Sequence, residues 1–148
     1  MKSLFFYRIF LSFIMLFISV SFNLSFSQTK KDAQKILMSK TWCWYEEGYK
    51  DGQPQLRFIF TKDSITSYVV GNKAYDNMKA TIPYYLGDQK NVYFDDQKVG
   101  KVKNGKYIIE KLINEIYIME IISIDKNEIK FKAPTNDGDV IRIYRAVD

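Results

Sequence analysis

The sequence predicts an all-β protein, an antiparallel up-and-down β-barrel of about eight strands with a short helix at its start. Three observations carry this. Glu128-Ile129-Lys130-Phe131-Lys132-Ala133 alternates, with Ile129, Phe131 and Ala133 on one face and charges on the other, the pattern of a half-buried antiparallel strand. Asp125-Lys126-Asn127 before it and Thr135-Asn136-Asp137-Gly138 after it carry turn chemistry: Asn and Asp tolerate left-handed backbone, and Gly adopts it without steric cost. Residues 116–124 and 140–144, on either side, are too rich in β-branched and aromatic side chains to make good helices. A three-strand meander therefore anchors the chain.

The first 27 residues read as a signal peptide. Lys2 and Arg8 supply positive charge, residues 9–20 are almost wholly apolar, and residues 21–27 form a more polar, small-residue exit. Ser25 and Ser27 have the spacing of a cleavage site, which places the cut before Gln28 and leaves one domain over residues 28–148. An apolar run of roughly a dozen residues is short for a membrane span of about twenty. No cysteine stands at the cut, so a lipid anchor is not expected. The chain is accordingly expected in the periplasm or outside the cell, as a monomer with no stable membrane insertion.

Charge points to no polyanionic partner. The formal net charge is +5, and the leader accounts for Lys2 and Arg8 of it. The densest basic run, Lys98, Lys101, Lys103 and Lys106, is interleaved with Val99, Gly100, Val102 and Asn104 rather than with base-stacking aromatics. That is a solvated loop, not a nucleic-acid face.

Taken in order, residues 28–38 start polar and become helical, with Asp32 as a cap and Ala33, Ile36 and Leu37 at helical spacing. Residues 41–47 form the first strand, Trp42 and Trp44 on one face, Cys43 and Tyr45 on the other. A turn over residues 48–54 leads to Leu56, Phe58 and Phe60 alternating with Arg57 and Ile59. Lys62-Asp63 closes a hairpin onto residues 65–70, and Gly71-Asn72-Lys73 ends that strand. In residues 74–86, Pro83 predicts a strand that is an edge, interrupted or bulged. Val92-Tyr93-Phe94 reads as a short strand, residues 95–105 as loop, and residues 106–113 as strand leading into the meander.

Enzymatic chemistry finds little support. With no histidine in the chain there is no Ser-His-Asp or Cys-His arrangement and no His-based metal site. Cys43 is the sole cysteine and reads as a buried, inert thiol. Asp95-Asp96 and Asp137-Gly138-Asp139 fall in expected turns, and the latter lacks the downstream Glu of a calcium loop. No metal, cofactor or catalytic set is expected. Glu110 and Glu120 stand within otherwise apolar strand runs. An acid facing the barrel interior would have a raised pKa and could bind a polar ligand head; on the outer face it would serve solubility.

The exported leader, short helix, Lys40-Thr41-Trp42 opening the first strand and eight-strand meander resemble the lipocalin-like proteins of the calycin group, in particular their small secreted bacterial domains. Their opening motif is Gly-x-Trp; Trp42 matches the tryptophan, and Lys40 stands where the family has glycine. The resemblance implies an arginine near the last strand packing over Trp42, with Arg142 and Arg145 the candidates for that structural role. It also implies carriage of a small hydrophobic molecule. Phe58, Phe60, Tyr68, Tyr107, Tyr117, Glu120 and Phe131 are then the candidate ligand-binding residues. The same aromatics could instead pack into a dry core. The alternative is a secreted protein- or glycan-binding module with a filled barrel and a surface patch of Tyr84, Tyr85, Tyr93 and Phe94 around Pro83.

Overall fold

The computed structural model describes residues 33–45, 53, 55–71, 73–75 and 78–147. The expected leader, its cleavage point, the Asp32 cap and most of the turn over residues 48–54 lie outside them. A short helix α1 (Ala33–Met38) precedes eight strands: β1 (Thr41–Tyr45), β2 (Gln55–Phe60), β3 (Ser64–Val70), β4 (Lys79–Gly87), β5 (Tyr107–Lys111), β6 (Ile116–Ile124), β7 (Glu128–Thr135) and β8 (Gly138–Ala146). Each strand pairs antiparallel with the next, and β8 returns to β1 with Trp44 opposite Tyr144, closing the barrel. Closure leaves the sheet without an exposed edge.

Because the side-chain period along a strand is two, the register fixes the inner face of every strand at once. Trp42 sits opposite Phe58, Phe60 opposite Ile65, Ile65 opposite Ile82, Leu86 opposite Ile108, and Ile108 opposite Met119. Ile121 faces Phe131, Ile129 faces Tyr144, and a bulge between Ile121 and Ser123 keeps Ile124 on the same inner face, opposite Ile129. These residues form one core cluster. Two ring contacts hold its centre: Phe58 stacks on Tyr144 at 4.6 Å, and Phe131 meets Tyr144 edge-on at 5.0 Å.

Helix α1 closes one end. Six residues are too few to form a helix by propensity, so its packing must hold it. Ala33 and Leu37 are buried in the core cluster. The Trp42 indole N–H donates to the Leu37 carbonyl at 2.8 Å, the Gln34 amide side chain donates to the Lys62 carbonyl, and the Gln34 backbone N–H donates to the Lys103 carbonyl. These three bonds tie α1 to β1, to the β2–β3 turn and to the connection before β5.

Two expectations for the middle of the chain are corrected. β4 is one continuous strand through Pro83, paired on both sides rather than an edge. The proline is tolerated because β4 changes partner there. Residues 79–83 pair with β3 and residues 84–87 with β5, and the Tyr84 N–H donates to Asp63 on the β3 side. The N–H that Pro83 lacks would have pointed the other way, toward β5, one position beyond the last β4–β5 pair, Tyr84 with Glu110. Val92, Tyr93 and Phe94 form no strand, since β4 and β5 already pair with each other and leave no edge to join. They belong to a long connection that packs on the outer wall, with Phe94 5.1 Å from the Tyr85 ring and Asn91 donating to the Tyr85 hydroxyl. Further along, a single 3₁₀ turn (Asp96–Lys98) is capped by the Asp95 carboxylate.

Candidate functional site

Inward side chains change character along the barrel axis. At the end covered by α1, Trp42, Phe60, Ile65, Tyr84, Leu86, Ile108, Met119, Ile129 and Tyr144 are all buried. Two or four residues further along the same strand faces, Trp44, Leu56, Ser67, Val69, Ile82, Tyr117 and Arg142 are only half-buried, and Ala80 and Val140 are exposed. The half of the barrel under α1 is a dry core; the other half is a cup that is open except along β7, where Ala133, opposite Val140, stays 0 % exposed.

The floor between them is polar. Arg142 on β8 points inward, its guanidinium 5.0 Å from the centre of the Trp44 ring on β1 and 5.7 Å from that of Tyr117 on β6. Tyr117 lies opposite Glu110 on β5, which is 8 % exposed, and its hydroxyl donates to the Pro134 carbonyl on β7. The Arg142 charge also acts on the Tyr144 hydroxyl below it, opposing the rise that burial causes there. A belt of Trp44, Arg142, Tyr117 and Glu110 thus spans the lumen from one wall to the other.

Burial sets the electrostatics of this belt. It pushes the Glu110 carboxyl up to about 7, with the Arg142 charge only partly opposing. Burial also raises the Tyr117 and Tyr144 hydroxyls, and in both Arg142 opposes and Glu110 reinforces the rise. Tyr84, opposite Glu110 on β4, is pushed by burial up to about 12, and its hydroxyl donates to the Thr61 carbonyl. Arginine keeps its charge whatever the pH, so near neutrality the belt alternates between net zero and net positive as Glu110 titrates.

A half-open cleft of about 640 Å³ lies at the barrel rim beside the belt, where β1 ends and β8 continues. Trp44, Arg142 and Val140 line it from the inner face, Tyr45, Ile141 and Ile143 from the outer face, and Thr135 at the rim. The volume lies in the range of small-molecule sites.

Of the seven candidate ligand residues, four point into the barrel: Phe58, Phe60, Tyr117 and Phe131. Phe60 is sealed in the dry half; Phe131 is fully buried at the level of the belt, opposite Arg142; Phe58 lies at the upper boundary of the dry half and Tyr117 in the belt. Tyr68, Tyr107 and Glu120 are corrected to the outer face. Tyr68 pairs with Arg57 and Lys79, and Tyr107 pairs with Glu120, all one residue out of phase with the inner set. Glu120 is instead ion-paired with Lys106 at 2.7 Å, while Glu110 is the inward acid.

The structural arginines are corrected as well. Arg142 packs over Trp44 and Arg145 over Tyr45 at 3.6 Å, whereas Trp42 is held by the Leu37 carbonyl. Parity is the reason: Arg145 lies on the outer face with Tyr45, and Arg142 reaches the lumen above Tyr144, beside Trp44. The expected aromatic patch does not form. Tyr84 and Tyr85 are 0 % and 1 % exposed, Phe94 is half-buried against Tyr85, and only Tyr93 stands out, at 83 %.

Sequence reasoning noted Glu110 but did not place it in the site, and it gave no site role to Trp44. An acid inside Tyr107-Ile108-Ile109-Glu110, two residues from the buried Ile108, was the available signal. No protein-family model, curated protein or solved structure matches this chain.

Proposed function

We propose that this is an exported, lipocalin-like binding protein that holds a small hydrophobic molecule in the open half of its barrel. The observation that carries the reading is the contrast within one lumen. Apolar inward side chains are sealed near α1 yet remain half-exposed above the Arg142 belt, next to a rim cleft of ligand size. A half-exposed apolar cup is stabilised by whatever apolar surface fills it, at roughly 25 cal/mol per Å² removed from water.

The reading is non-enzymatic, monomeric and cofactor-free, and takes the leader as a cleaved export signal. Arg57, Thr66, Lys79, Thr81, Lys111, Lys130 and Lys132 share the outward phase of their strands, a wall suited to water rather than to lipid. The alternative of a binding module built on an aromatic patch loses its main support with Tyr84 and Tyr85 buried.

Native mass spectrometry of the protein purified without detergent tests the proposal. An adduct of a few hundred daltons that leaves on denaturation is the expected result. A clean apo mass that persists after incubation with a lipid extract would overturn it.

A further inference from the structure

Glu110 is a buried acceptor without a donor. It is 8 % exposed and faces the lumen at the level of the belt. Its two cross-strand neighbours direct their hydroxyls elsewhere, Tyr84 to the Thr61 carbonyl and Tyr117 to the Pro134 carbonyl. Among the described residues it is left with the Arg142 charge and no hydrogen bond. A buried polar group in that state is unfavourable, so a molecule that brings an O–H to it supplies what the empty barrel lacks. Charge decides the kind of donor. A cationic one would meet the field of Arg142, and an anion would set a second negative charge against a buried carboxylate. An uncharged hydroxyl meets neither obstacle.

Shape narrows the choice further. Above the dry core the cup runs from Arg142 to Val140 on β8, from Ser67 to Val69 on β3 and from Ile82 to Ala80 on β4, one inward step each. Such a step rises roughly 7 Å along a strand, and about 5 Å along the axis of a barrel with the usual strand tilt. A long acyl chain would stand mostly outside so shallow a cup, whereas a fused ring fits. β1 and β5 lie on opposite walls of the closed strand order, so a ring lying along Trp44 carries a substituent across the lumen toward Glu110. Ser67 and Ala80, paired across β3 and β4, are small and leave that side clear. We propose that the cup takes a compact, uncharged ring compound whose hydroxyl donates to Glu110, rather than an anion or a long acyl chain.

This inference rests on the ligand-carriage reading above and adds the class of ligand to it. It also fixes the sign of a pH dependence. A carboxylate accepts a stronger hydrogen bond than a neutral acid, so the hydroxyl favours ionised Glu110. Burial holds that group up at about 7 in the empty barrel, so near neutrality binding releases a proton and strengthens as pH rises. The other groups facing Glu110 are Tyr84 on β4, Tyr117 on β6, and Arg142 and Tyr144 on β8. Arginine stays charged and the three raised tyrosines stay protonated, so none of them titrates in this range.

The test is calorimetric titration of the purified protein with four probes: 2-naphthol, 2-methoxynaphthalene, 2-naphthoate and dodecanol. 2-Naphthol should bind about tenfold more tightly than 2-methoxynaphthalene, which has the same body and no donor. It should also lead 2-naphthoate and dodecanol. Its affinity should rise roughly fivefold from pH 6 to pH 8, with proton release at pH 7. Glu110→Gln, which still offers an acceptor, should remove the pH dependence. Glu110→Leu should bring 2-naphthol down to 2-methoxynaphthalene, whose own binding, unchanged, reports that the variant is folded. Equal binding of the two naphthyl ethers and alcohols in the native protein, a lead for 2-naphthoate, or affinity that falls with pH would overturn the assignment of the hydroxyl to Glu110. A lead for dodecanol would overturn the compact shape. Either outcome leaves ligand carriage standing, whereas failure of all four to bind would overturn both readings.

Discussion

The Arg142 guanidinium lies 5.0 Å from the centre of the Trp44 ring, and the strand pairing that brings them together puts Trp42 out of reach on a lower level of the same face. One tryptophan therefore belongs to the cup and the other to the core. Trp42 is fully buried with its indole N–H bonded to Leu37; Trp44 is half-buried and lines the rim cleft.

Single-tryptophan fluorescence should separate the two. The Trp44→Phe variant, reporting Trp42 alone, should emit at shorter wavelength and resist acrylamide quenching, while Trp42→Phe should leave a quenchable signal. Trp42→Phe should also cost about 2 kcal/mol in chemical denaturation, from lost volume and a carbonyl left without its donor. For Trp44→Phe the expected cost is under about 1 kcal/mol. Equal quenching of both would contradict a lumen divided into dry and open halves.

Stability should fall as pH rises through the Glu110 titration. Below the ordinary carboxyl value of 4.5 the group is protonated folded and unfolded alike; from there to about 7 the folded state keeps a proton that the unfolded state has released. Stability therefore declines across that window and levels off above it, by on the order of 3 kcal/mol from this group. Glu110→Gln should remove this component. Urea denaturation of the two proteins between pH 4 and 8 should give curves whose difference widens toward pH 7 and then stays constant; parallel curves would place Glu110 in water.

Gly105 should accept no side chain. A Cβ at that position would run into the Gly87 backbone, which cannot yield without breaking into the end of β4. Gly105→Ala is expected to lose about 2 kcal/mol, read as a drop in melting temperature. Alanine at Gly138 provides the contrast, since nothing crowds it. There the cost comes only from the positive φ of 116° in the β7–β8 turn, and about 1 kcal/mol is expected.

Cys43 should behave as an inert thiol although it lies on the outer face of β1. It is 8 % exposed, and burial raises its pKa, with Arg57 opposing. Reaction with a thiol-specific chromogenic disulfide at pH 8 should be slow in the native protein and immediate in denaturant. Prompt native reaction would show that the outer wall opens around β1.

Much of the barrel was legible in the chain because period-two alternation is a local signal. The run from Glu128 to Ala133, the pair Trp42 and Trp44, and the set Leu56, Phe58 and Phe60 each declare a common face without reference to any neighbour. Pro83 misled for the complementary reason. Its effect depends on which strand lies beside it, and β4 changes partner just where the missing donor would be felt. Val92-Tyr93-Phe94 has strand composition, but a strand needs an edge, and the closed barrel offers none. The site was less legible still. Tyr107, Glu110, Tyr117 and Glu120 all read as strand residues, and only the register of β5 against β4 and β6 puts Glu110 and Tyr117 inside and Tyr107 and Glu120 outside.

What the sequence by itself determined is therefore the class of fold, the strand order and the exclusion of histidine chemistry, since these follow from residue type, spacing and turn residues along the chain. Only the tertiary structure decided that the lumen divides into a packed half under α1 and an open half above Arg142, and that Glu110 rather than Glu120 faces it. The physical reason is that a side chain's burial, charge state and partners are set by the strands across the lumen. Those strands are separated in sequence by tens of residues and brought together only when β8 closes on β1.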